Sequence, residues 1–467
     1  MILKKTEMKN NLRNRICFYT AAMIIMGFLG CKDFLDAKPD KKLVIPTQLK
    51  DYQALLDNYP VINNSDPGSG EISSDDYYLT DIDYNALSQD YFKRMHIWEK
   101  EGLFNETTND WSQTYRPVYV ANTILQALEE NNENLKNSIN YNDIKGQALF
   151  VRARSFYQIV GLWGKAYDDK TANSDLGIVL RLNDDFNEKS KRSSLMESYQ
   201  QILNDLQSSI SLLPSAVVSP IRPNKAAAYG LTARLYLSMR IYDKARLYAD
   251  SCLQLNNVLL DFNTLSKTAT YPFAKFNKEV IYESMIPVPA PINNSRAKLS
   301  LNLYNSYETN DLRKTLFYRP NGDGSHRFKG SYEAGANLFS GIATDEIYLI
   351  RAECAIRAND LASGLKDLND LLKTRYSKVN GTTTYVDFQT TDQKAALSKV
   401  LLERRKELLM RGLRWLDVKR LNKEGAGINL LRNVNGISYS LPANDNRFAL
   451  EIPQSLLKIT SIEQNPR

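Results

Sequence analysis

One stretch of this sequence constrains the fold more than any other, because it carries the spacing of two helices packed against each other. Residues 226–255 place small or aromatic side chains at helical intervals, with a corner at Tyr242–Asp243. The spaced positions are Ala233, Tyr236, Ala245, Ala249 and Cys252. Small side chains at such positions let two helices approach closely. The stretch therefore predicts a helix–turn–helix pair.

A similar pattern recurs 119 residues further along the chain, with its corner at Asn359–Asp360. Its spaced positions are Ala352, Ala355, Gly364, Leu368 and Leu371. Spacing of this kind is typical of tetratricopeptide repeats. Helical pairs of this type cannot bury their apolar faces alone, so they must stack on one another.

Two further segments extend the predicted scaffold. One helix begins within Gln147–Phe156, and its partner at 196–213 follows an insertion at 163–192. An earlier helix covers Trp111–Glu130 and carries aromatic and apolar residues on one face. The predicted fold class is mainly α: a tetratricopeptide-like scaffold of about four irregular helical pairs, with long loop-rich insertions and a few short β-hairpins.

Outside the scaffold, which we place at about 105–255 and 340–422, the chain is rich in loops. The segment 57–105 is dense in Asn, Ser, Asp and Tyr, and 256–340 holds a β-like run at Val280–Ile286. Loops this long in a compact protein are usually functional. We therefore expect these two segments to form the ligand-facing surface.

The first thirty residues have the pattern of a targeting segment. A basic stretch ending at Arg15 precedes a mostly apolar run, 16–29, which is too short to span a bilayer comfortably but suits a signal-peptide core. A small residue and then Cys31 follow at once, which resembles a bacterial lipoprotein signal. We predict a signal peptide at 1–30, a mature body at 31–467, and acyl chains on Cys31 that anchor the protein in lipid. An uncleaved anchor helix is the alternative, and either arrangement places the body outside the inner membrane.

The composition excludes several kinds of function. The chain has only two histidines, His96 and His326, which removes most His-dependent catalysis and zinc ligation. Neither a GxSxG nor an HExxH motif occurs, and no pattern indicates a cofactor. The net charge is +7, but five lysines and arginines against one glutamate fall in the first thirty residues. The remaining charge is too weak and too scattered to indicate nucleic acid as a partner.

Five blocks and a short tail follow one another along the chain: Cys31–Asp36 with Pro39, Lys145–Tyr157, Asn224–Leu237, Glu346–Glu353, Glu403–Arg420, and the tail Ile452–Pro453 with Gln464–Pro466. In this order they resemble the SusD/RagB nutrient-binding lipoproteins of the Bacteroidota outer membrane. The resemblance extends over nearly the whole chain. It implies a tetratricopeptide-like scaffold, a non-enzymatic role without a cofactor, and binding of glycans, or in some members peptides, at the cell surface. It also implies a partner, a SusC-like TonB-dependent outer-membrane transporter that imports the captured ligand and of which this protein forms the lid.

Sugar recognition needs flat apolar faces that stack on C–H surfaces, together with carboxylates or amides that bind hydroxyl groups. One loop offers both kinds of group, in Asp75, Asp76, Tyr77 and Tyr78. We predict these four residues and Trp98 as ligand-binding residues, although Trp98 has a packing role as its alternative. If these residues do not bind, the second loop segment is the next candidate, around Tyr304, Tyr307 and Tyr332.

A secreted hydrolase is the enzymatic alternative, and it needs a pair of free carboxylates. The acids in the family blocks, Glu353, Glu403 and Glu407, all have arginine neighbours in sequence. Arginine favours the charged form of a carboxyl group and makes it a poor general acid, so we expect structural ion pairs. The residues do not decide between oligosaccharide and peptide as the ligand.

Three further features have simple structural interpretations. Cys252 and Cys354 fall at helix-core positions and are expected to be small buried hydrophobes. The run Asn321–Ser325 resembles the start of a calcium loop, but it lacks the closing glutamate. A hairpin turn is therefore the expectation there.

Overall fold

The structure, a computed structural model, describes residues 46–131 and 135–467. The chain divides into two units, Met1–Thr47 and Gln48–Arg467, and all the elements below belong to the second. The predicted signal peptide and the predicted lipid attachment at Cys31 lie outside the described residues. Within the described ranges, no helix combines the length and the apolar composition that crossing a membrane requires.

Helices dominate the regular structure, and the described residues form seventeen α-helices. In chain order they are α1 Leu49–Leu56, α2 Tyr59–Ile62, α3 Ser69–Ser73, α4 Asp81–Asn85, α5 Asp90–His96, α6 Asp110–Glu130, α7 Tyr141–Trp163, α8 Leu195–Leu212, α9 Lys225–Met239, α10 Tyr242–Leu255, α11 Leu301–Asn305, α12 Arg313–Leu316, α13 Thr344–Arg357, α14 Leu361–Lys373, α15 Gln393–Glu407, α16 Arg414–Asn422 and α17 Gln454–Ile459.

The strands are short, and within the described ranges they form seven antiparallel pairs. They are β1 Tyr77–Tyr78, β2 Leu176–Val179, β3 Arg192–Ser194, β4 Val280–Tyr282, β5 Met285–Ile286, β6 Lys298–Leu299, β7 Tyr318–Pro320, β8 His326–Phe328, β9 Leu338–Phe339, β10 Ile342–Ala343, β11 Lys378–Val379, β12 Thr382–Thr383, β13 Leu430–Val434 and β14 Ile437–Leu441. Four pairs join consecutive strands, whereas β1–β6, β4–β10 and β5–β9 join strands far apart in sequence. The predicted fold class, mainly α with short hairpins, is confirmed.

α9 and α10 form the helical pair that the sequence predicts most clearly. α9 ends at Met239, Arg240 adopts a left-handed φ of 62°, and α10 begins at Tyr242. The second predicted pair, α13 and α14, turns in the same way, since Asn359 at its corner has a φ of 63°. A left-handed residue commonly ends a helix and redirects the chain. The second corner lies where the sequence predicts it, whereas the first lies two residues earlier than predicted, because Tyr242 and Asp243 already belong to α10.

Small residues let the helices within and between these pairs approach closely. Ala233 on α9 and Ala245 on α10 are fully buried. A Cβ atom at Gly364 would lie 2.6 Å from Ile356 Cγ1 and 2.8 Å from the Ala352 carbonyl oxygen, both too close for a side chain. The glycine therefore allows α14 to lie directly against α13, as the sequence predicts.

α7 and α8 form the third pair, separated by the predicted insertion, which contains β2 and its loop. The chain enters α8 through a capping box: Glu197 N donates to Ser194 Oγ at 3.1 Å, and Ser194 N donates to Glu197 Oε2 at 2.7 Å. α6 packs against α7, so α7 is buried along most of its length. Because α7 covers one face of α6, the other face of α6 lies on the surface of the molecule.

The segment 57–105 is more helical than expected, because it holds α2 to α5. α4 is typical: it has 5 residues and begins at Thr80, whose Oγ1 accepts a hydrogen bond from Asp83 N at 3.1 Å. Helices of one to two turns are too short to show a hydrophobic period in the sequence, so the sequence analysis missed them.

A network of buried ion pairs lies between α15 and the segments that pack on it. Arg313 donates to Glu403 at 2.6 Å and to Glu407 at 2.9 Å, and Arg375 donates to Glu407 at 2.7 Å. Burial alone would raise the pKa of Glu403, but the charge of Arg313 and of nearby lysines holds the pKa well below its usual range. The structural pairing expected for Glu403 and Glu407 is confirmed. Glu353 is paired in the same way, with Arg420.

The expectations for the two cysteines and for the turn at 321–325 also hold. Cys252 and Cys354 are buried free cysteines. Asn321–Ser325 closes the β7–β8 hairpin, with positive φ at Gly322 and Gly324. Among the described residues, no group of three His, Cys, Asp or Glu side chains is arranged to hold a metal ion.

Candidate functional site

The predicted ligand loop is tied to the scaffold through its two aspartates. Arg414 donates to Asp75 Oδ1 and Oδ2 at 2.7 and 2.9 Å, and Arg405 donates to Asp76 Oδ1 at 2.8 Å. Burial opposes ionisation of Asp75, but the hydrogen bonds and charge of Arg414, together with Arg405, lower its pKa to about 2. Both aspartates therefore anchor the loop to the segment 405–414.

Tyr77 and Trp98 lie in the hydrophobic core, where they are 3% and 4% exposed. The Tyr77 hydroxyl donates to the Ile72 carbonyl at 2.8 Å, and Trp98 Nε1 donates to the Ser73 carbonyl at 2.9 Å. The guanidinium of Arg432 lies 5.0 Å from the Tyr77 ring centroid and 4.7 Å from that of Trp98. This burial favours a packing role for both rings over direct contact with ligand.

Tyr78 is the member of the loop whose ring reaches the surface. It is half-buried on β1 and pairs with Lys298 of β6. Successive strand residues point to opposite faces, so the ring of Tyr78 lies on the face opposite that of Tyr77. Of the second group of tyrosines, Tyr307 and Tyr332 are buried, and Tyr304 is half-buried with its ring stacked at 3.8 Å on His326. Tyr78 and Tyr304 are therefore the two that remain accessible.

A cavity of about 280 Å³ lies between the two loop segments, and we call it the loop cavity. Its lining includes the aromatic residues Tyr91, Phe92 and Phe104, the polar residues Asn64, Ser65, Asn105, Asp110 and Gln113, and the prolines Pro287 and Pro289. The segments meet closely at its edge, where a Cβ atom at Gly68 would lie 2.5 Å from Pro289 Cγ. The cavity therefore lies where the sequence predicts a ligand-facing surface.

Two aromatic rings stand at the start of α5 and border the loop cavity. Tyr91 and Phe92 are half-buried, and their ring centroids lie 4.5 Å apart at 49°. Asp90, the first residue of α5, precedes them, so the helix start places both rings on the cavity side. They offer apolar faces on which a ligand with C–H surfaces stacks.

The opposite wall is the N-terminus of α6. Asn109 caps this helix by accepting from Ser112 N at 3.0 Å, and its own amide donates to the Asn105 carbonyl at 2.9 Å. Asp110 accepts from Ser69 N at 2.8 Å. Burial raises the pKa of Asp110, although the hydrogen bonds from Ser69 oppose the shift. These bonds hold the polar wall in place.

One polar atom of the lining is left without a partner. Asn64 Oδ1 is shielded from solvent and has no hydrogen-bond partner within 46–131 and 135–467. A buried acceptor without a partner costs free energy. The loop cavity thus combines aromatic faces with amide groups, an arrangement suited to binding a polyhydroxylated molecule.

The sequence predicts the segment 57–105 as ligand-facing but does not single out the residues that line the loop cavity. Tyr91 and Phe92 lie within the predicted segment 57–105, and their adjacency was a usable signal. Gln113 falls inside the predicted scaffold, so nothing in its local pattern marked it. Its place in the site depends on the packing of α6 beside α5 and the prolines.

Comparison with known proteins agrees with this architecture. A family model described as "Starch-binding associating with outer membrane" matches residues 33–237, and the "SusD family" model matches residues 344–452. No curated protein matches the chain.

Solved structures share the fold at low sequence identity. A Bacteroides vulgatus protein described as sugar-binding is 21% identical, with a TM-score of 0.73 over 91% of this chain and 99% of its own. A SusD superfamily protein from Bacteroides thetaiotaomicron is 22% identical, with a TM-score of 0.71 over 90% of this chain and 100% of its own. A SusD-like carbohydrate-binding protein from Bacteroides vulgatus is 19% identical, with a TM-score of 0.64 over 88% and 96%.

The two family models match separate parts of the chain, in the order that the sequence blocks predict, and together they cover more than half of it. The helical-pair scaffold and the solved structures agree with that match. The chain belongs to the SusD/RagB family.

Proposed function

We propose that this protein is a cell-surface lipoprotein that binds nutrient oligosaccharide without cleaving it and delivers it to a SusC-like TonB-dependent transporter in the outer membrane. The observation that carries the proposal is the loop cavity, where Tyr91 and Phe92 face a wall of amide groups. The printed descriptions of the starch-binding family model and of the sugar-binding and carbohydrate-binding structures favour a glycan over a peptide.

Binding without catalysis is supported by the pairing of the three glutamates in the family blocks. Glu403 and Glu407 are committed to Arg313 and Arg375, and Glu353 to Arg420. A glycosidase needs one carboxyl group that holds a proton and a second that is free to act as base or nucleophile. Carboxylates held by buried arginines are poor candidates for either role.

We expect Tyr91→Ala and Phe92→Ala to weaken oligosaccharide binding by about two- to tenfold each. Loss of one stacked ring removes about 0.5–1.5 kcal/mol beyond the buried area. Both rings are only half-buried, so the melting temperature should change little. Affinity electrophoresis through gels containing soluble starch, xylan, mannan or β-glucan identifies the polymer, and isothermal titration with its fragments measures the affinity.

Tyr348→Ala is the matched control, because Tyr348 is a half-buried tyrosine of α13 that does not line the loop cavity. Tyr78→Ala, measured beside it, tests the predicted ligand contact of Tyr78. Unchanged affinity in both loop-cavity variants would place the site elsewhere, with Tyr78 and Tyr304 as the next candidates. New reducing ends after incubation with the bound polymer would contradict the non-enzymatic role. If the protein binds peptides and no polysaccharide, the ligand is a peptide and not an oligosaccharide.

We expect Cys31→Ser to release the protein from membranes, because the acyl chains that would anchor it attach to that sulfur. Cys17→Ser is the control, since Cys17 lies inside the predicted signal peptide and should leave anchoring intact. Fractionation of cells, with metabolic labelling by a palmitate analogue, measures both variants. Membrane retention of the unlabelled Cys31 variant would indicate an uncleaved anchor helix instead.

A further inference from the structure

A second cavity, of about 600 Å³, lies further along α6. We call it the α6 cavity, and its walls are α6, the loop 179–190 that follows β2, and residues from α2 and α17. Its lining mixes aromatic with polar side chains, among them Tyr119, Phe186, Arg116, Arg181, Asn183 and Asp184. None of the sequence predictions concerned it.

Two exposed rings form the outer edge of the α6 cavity. Phe186 is 79% exposed and Tyr119 is 43% exposed, and their ring centroids lie 4.9 Å apart at 32°. A phenylalanine this exposed leaves most of its apolar area in water, which costs free energy that burial would recover. The two rings pack on each other and together form an exposed aromatic pair, which we call the platform.

The loop that carries Phe186 is held in this position by hydrogen bonds. Asn122 Nδ2 donates to the carbonyls of Arg181 and Asn183, both at 2.9 Å. Asn183 Oδ1 then accepts from Asp185 N at 3.0 Å, and Asp185 Oδ1 accepts from Asn187 N at 2.8 Å. Successive side-chain-to-backbone turns of this kind fix a loop. They hold Phe186 on Tyr119 and away from the core.

Polar groups surround the platform. Arg181 lines the cavity, where its Nη2 donates to Ser190 Oγ at 2.7 Å and its Nη1 pairs with Glu188 at 3.6 Å. Asp184 and Arg116 also line the cavity. Donors and acceptors around an aromatic platform are the groups that a sugar ring requires, for its hydroxyls and for its C–H face.

The α6 cavity continues the loop cavity along one face of α6. Gln113 lines the loop cavity, whereas Arg116 and Tyr119 line the α6 cavity. Each of these three residues, which we call the stripe, is three positions from the next, so neighbouring members lie close together while the stripe winds about 120° around the helix axis. Arg116 Nη1 donates to Gln113 Oε1 at 2.9 Å, so the stripe is continuous. From Gln113 to Tyr119 the helix rises about 9 Å, more than one sugar ring covers.

We propose that the Tyr119–Phe186 platform is a second subsite for the same oligosaccharide chain, which runs from the loop cavity along the Gln113–Arg116–Tyr119 stripe. The inference rests on the proposed function and adds the class of ligand: an extended chain of several sugar units. Short oligosaccharide fragments bind in the loop cavity alone, whereas longer fragments also contact the Tyr119–Phe186 platform. Affinity therefore rises with chain length until both platforms are covered.

The test compares the full chain with Phe186→Ala and Tyr91→Ala on fragments of increasing length. The probes are maltose through maltoheptaose, or the corresponding ladder from xylan, mannan or β-glucan if the gel screen selects one of those polymers. Titration calorimetry gives the affinity for each length. Phe186→Ala should lower the affinity for the longest fragment about two- to tenfold and leave the shortest unchanged, while Tyr91→Ala lowers both. Val386→Ala, an exposed apolar residue that lines neither cavity, should change nothing.

Each outcome decides something different. If Phe186→Ala binds every length as the unaltered protein does while Tyr91→Ala binds weakly, the second subsite is overturned and the proposed function stands. Equal loss at all lengths in Phe186→Ala overturns the division into two subsites. If none of the polysaccharides is retained by the unaltered protein, the proposed function fails, and the second subsite fails with it.

Discussion

Arg375→Met is expected to lower the free energy of unfolding by about 3–5 kcal/mol, because it leaves buried carboxylates without their counter-charge. Arg375 is fully buried. It donates to Glu279 Oε1 at 2.9 Å, to Glu407 Oε1 at 2.7 Å and to the Leu260 carbonyl at 2.8 Å. Urea-induced unfolding, followed by far-ultraviolet circular dichroism, measures the change.

The loss in Arg375→Met should depend on pH in one direction. Burial raises the pKa of Glu279 to about 6 even though the charge of Arg375 opposes the shift, and removing Arg375 raises it further. A group whose pKa is raised by folding favours the folded state at acid pH and loses that contribution as pH rises through its folded pKa. The deficit is therefore expected to be larger at neutral pH than near pH 5.

Arg246→Met is the matched control for this prediction. Arg246 pairs with Asp360, and both side chains are about one-third exposed. Exposed pairs are typically worth about 0–1 kcal/mol, so this variant should unfold close to the unaltered protein. Equal losses in the two arginine variants would show that the buried network contributes no more than a surface pair.

Trp98→Ala is the second change with a large expected effect, a loss of about 3–5 kcal/mol in the free energy of unfolding. The indole is 4% exposed, and its Nε1 donates to the Ser73 carbonyl at 2.9 Å. Its removal leaves a cavity beside Arg432 and an unpaired carbonyl under the loop that carries Asp75 and Asp76. Thermal unfolding measures the change, and oligosaccharide titration below the transition shows whether binding is affected directly.

Tyr77 and Tyr78 provide an internal comparison for this prediction. Tyr77→Ala should destabilise strongly, since its ring is in the core and its hydroxyl donates to the Ile72 carbonyl. Tyr78→Ala should cost much less, because its ring is half-exposed on the other face of β1. A Trp98→Ala protein that keeps its melting temperature and loses oligosaccharide affinity would contradict the packing role and support the ligand contact predicted for Trp98.

The sequence by itself determined the helical scaffold. The positions Ala233, Ala245 and Gly364 are packed as their spacing predicts. The second corner, at 359–360, lies where expected, and the first lies at 240–241, two residues before its predicted place. A helical pair is a local structure, because its hydrophobic period, its small residues and its turn all lie within about thirty residues of sequence. The glutamates of the block 403–407 are ion-paired as expected, but their partners are not the arginines beside them in sequence.

Only the tertiary structure decided which side chains line a cavity and which partners the charges take. Glu403 pairs with Arg313, 90 residues away, and the loop cavity joins Tyr91 to Gln113 and Pro289. Tyr77 and Tyr78 are identical neighbours in sequence, yet one lies in the core and the other reaches the surface. The composition of a loop indicates that it is able to bind a ligand. Whether one of its side chains is exposed depends on what packs against each face of the strand or helix, and the packing segments are far apart in sequence.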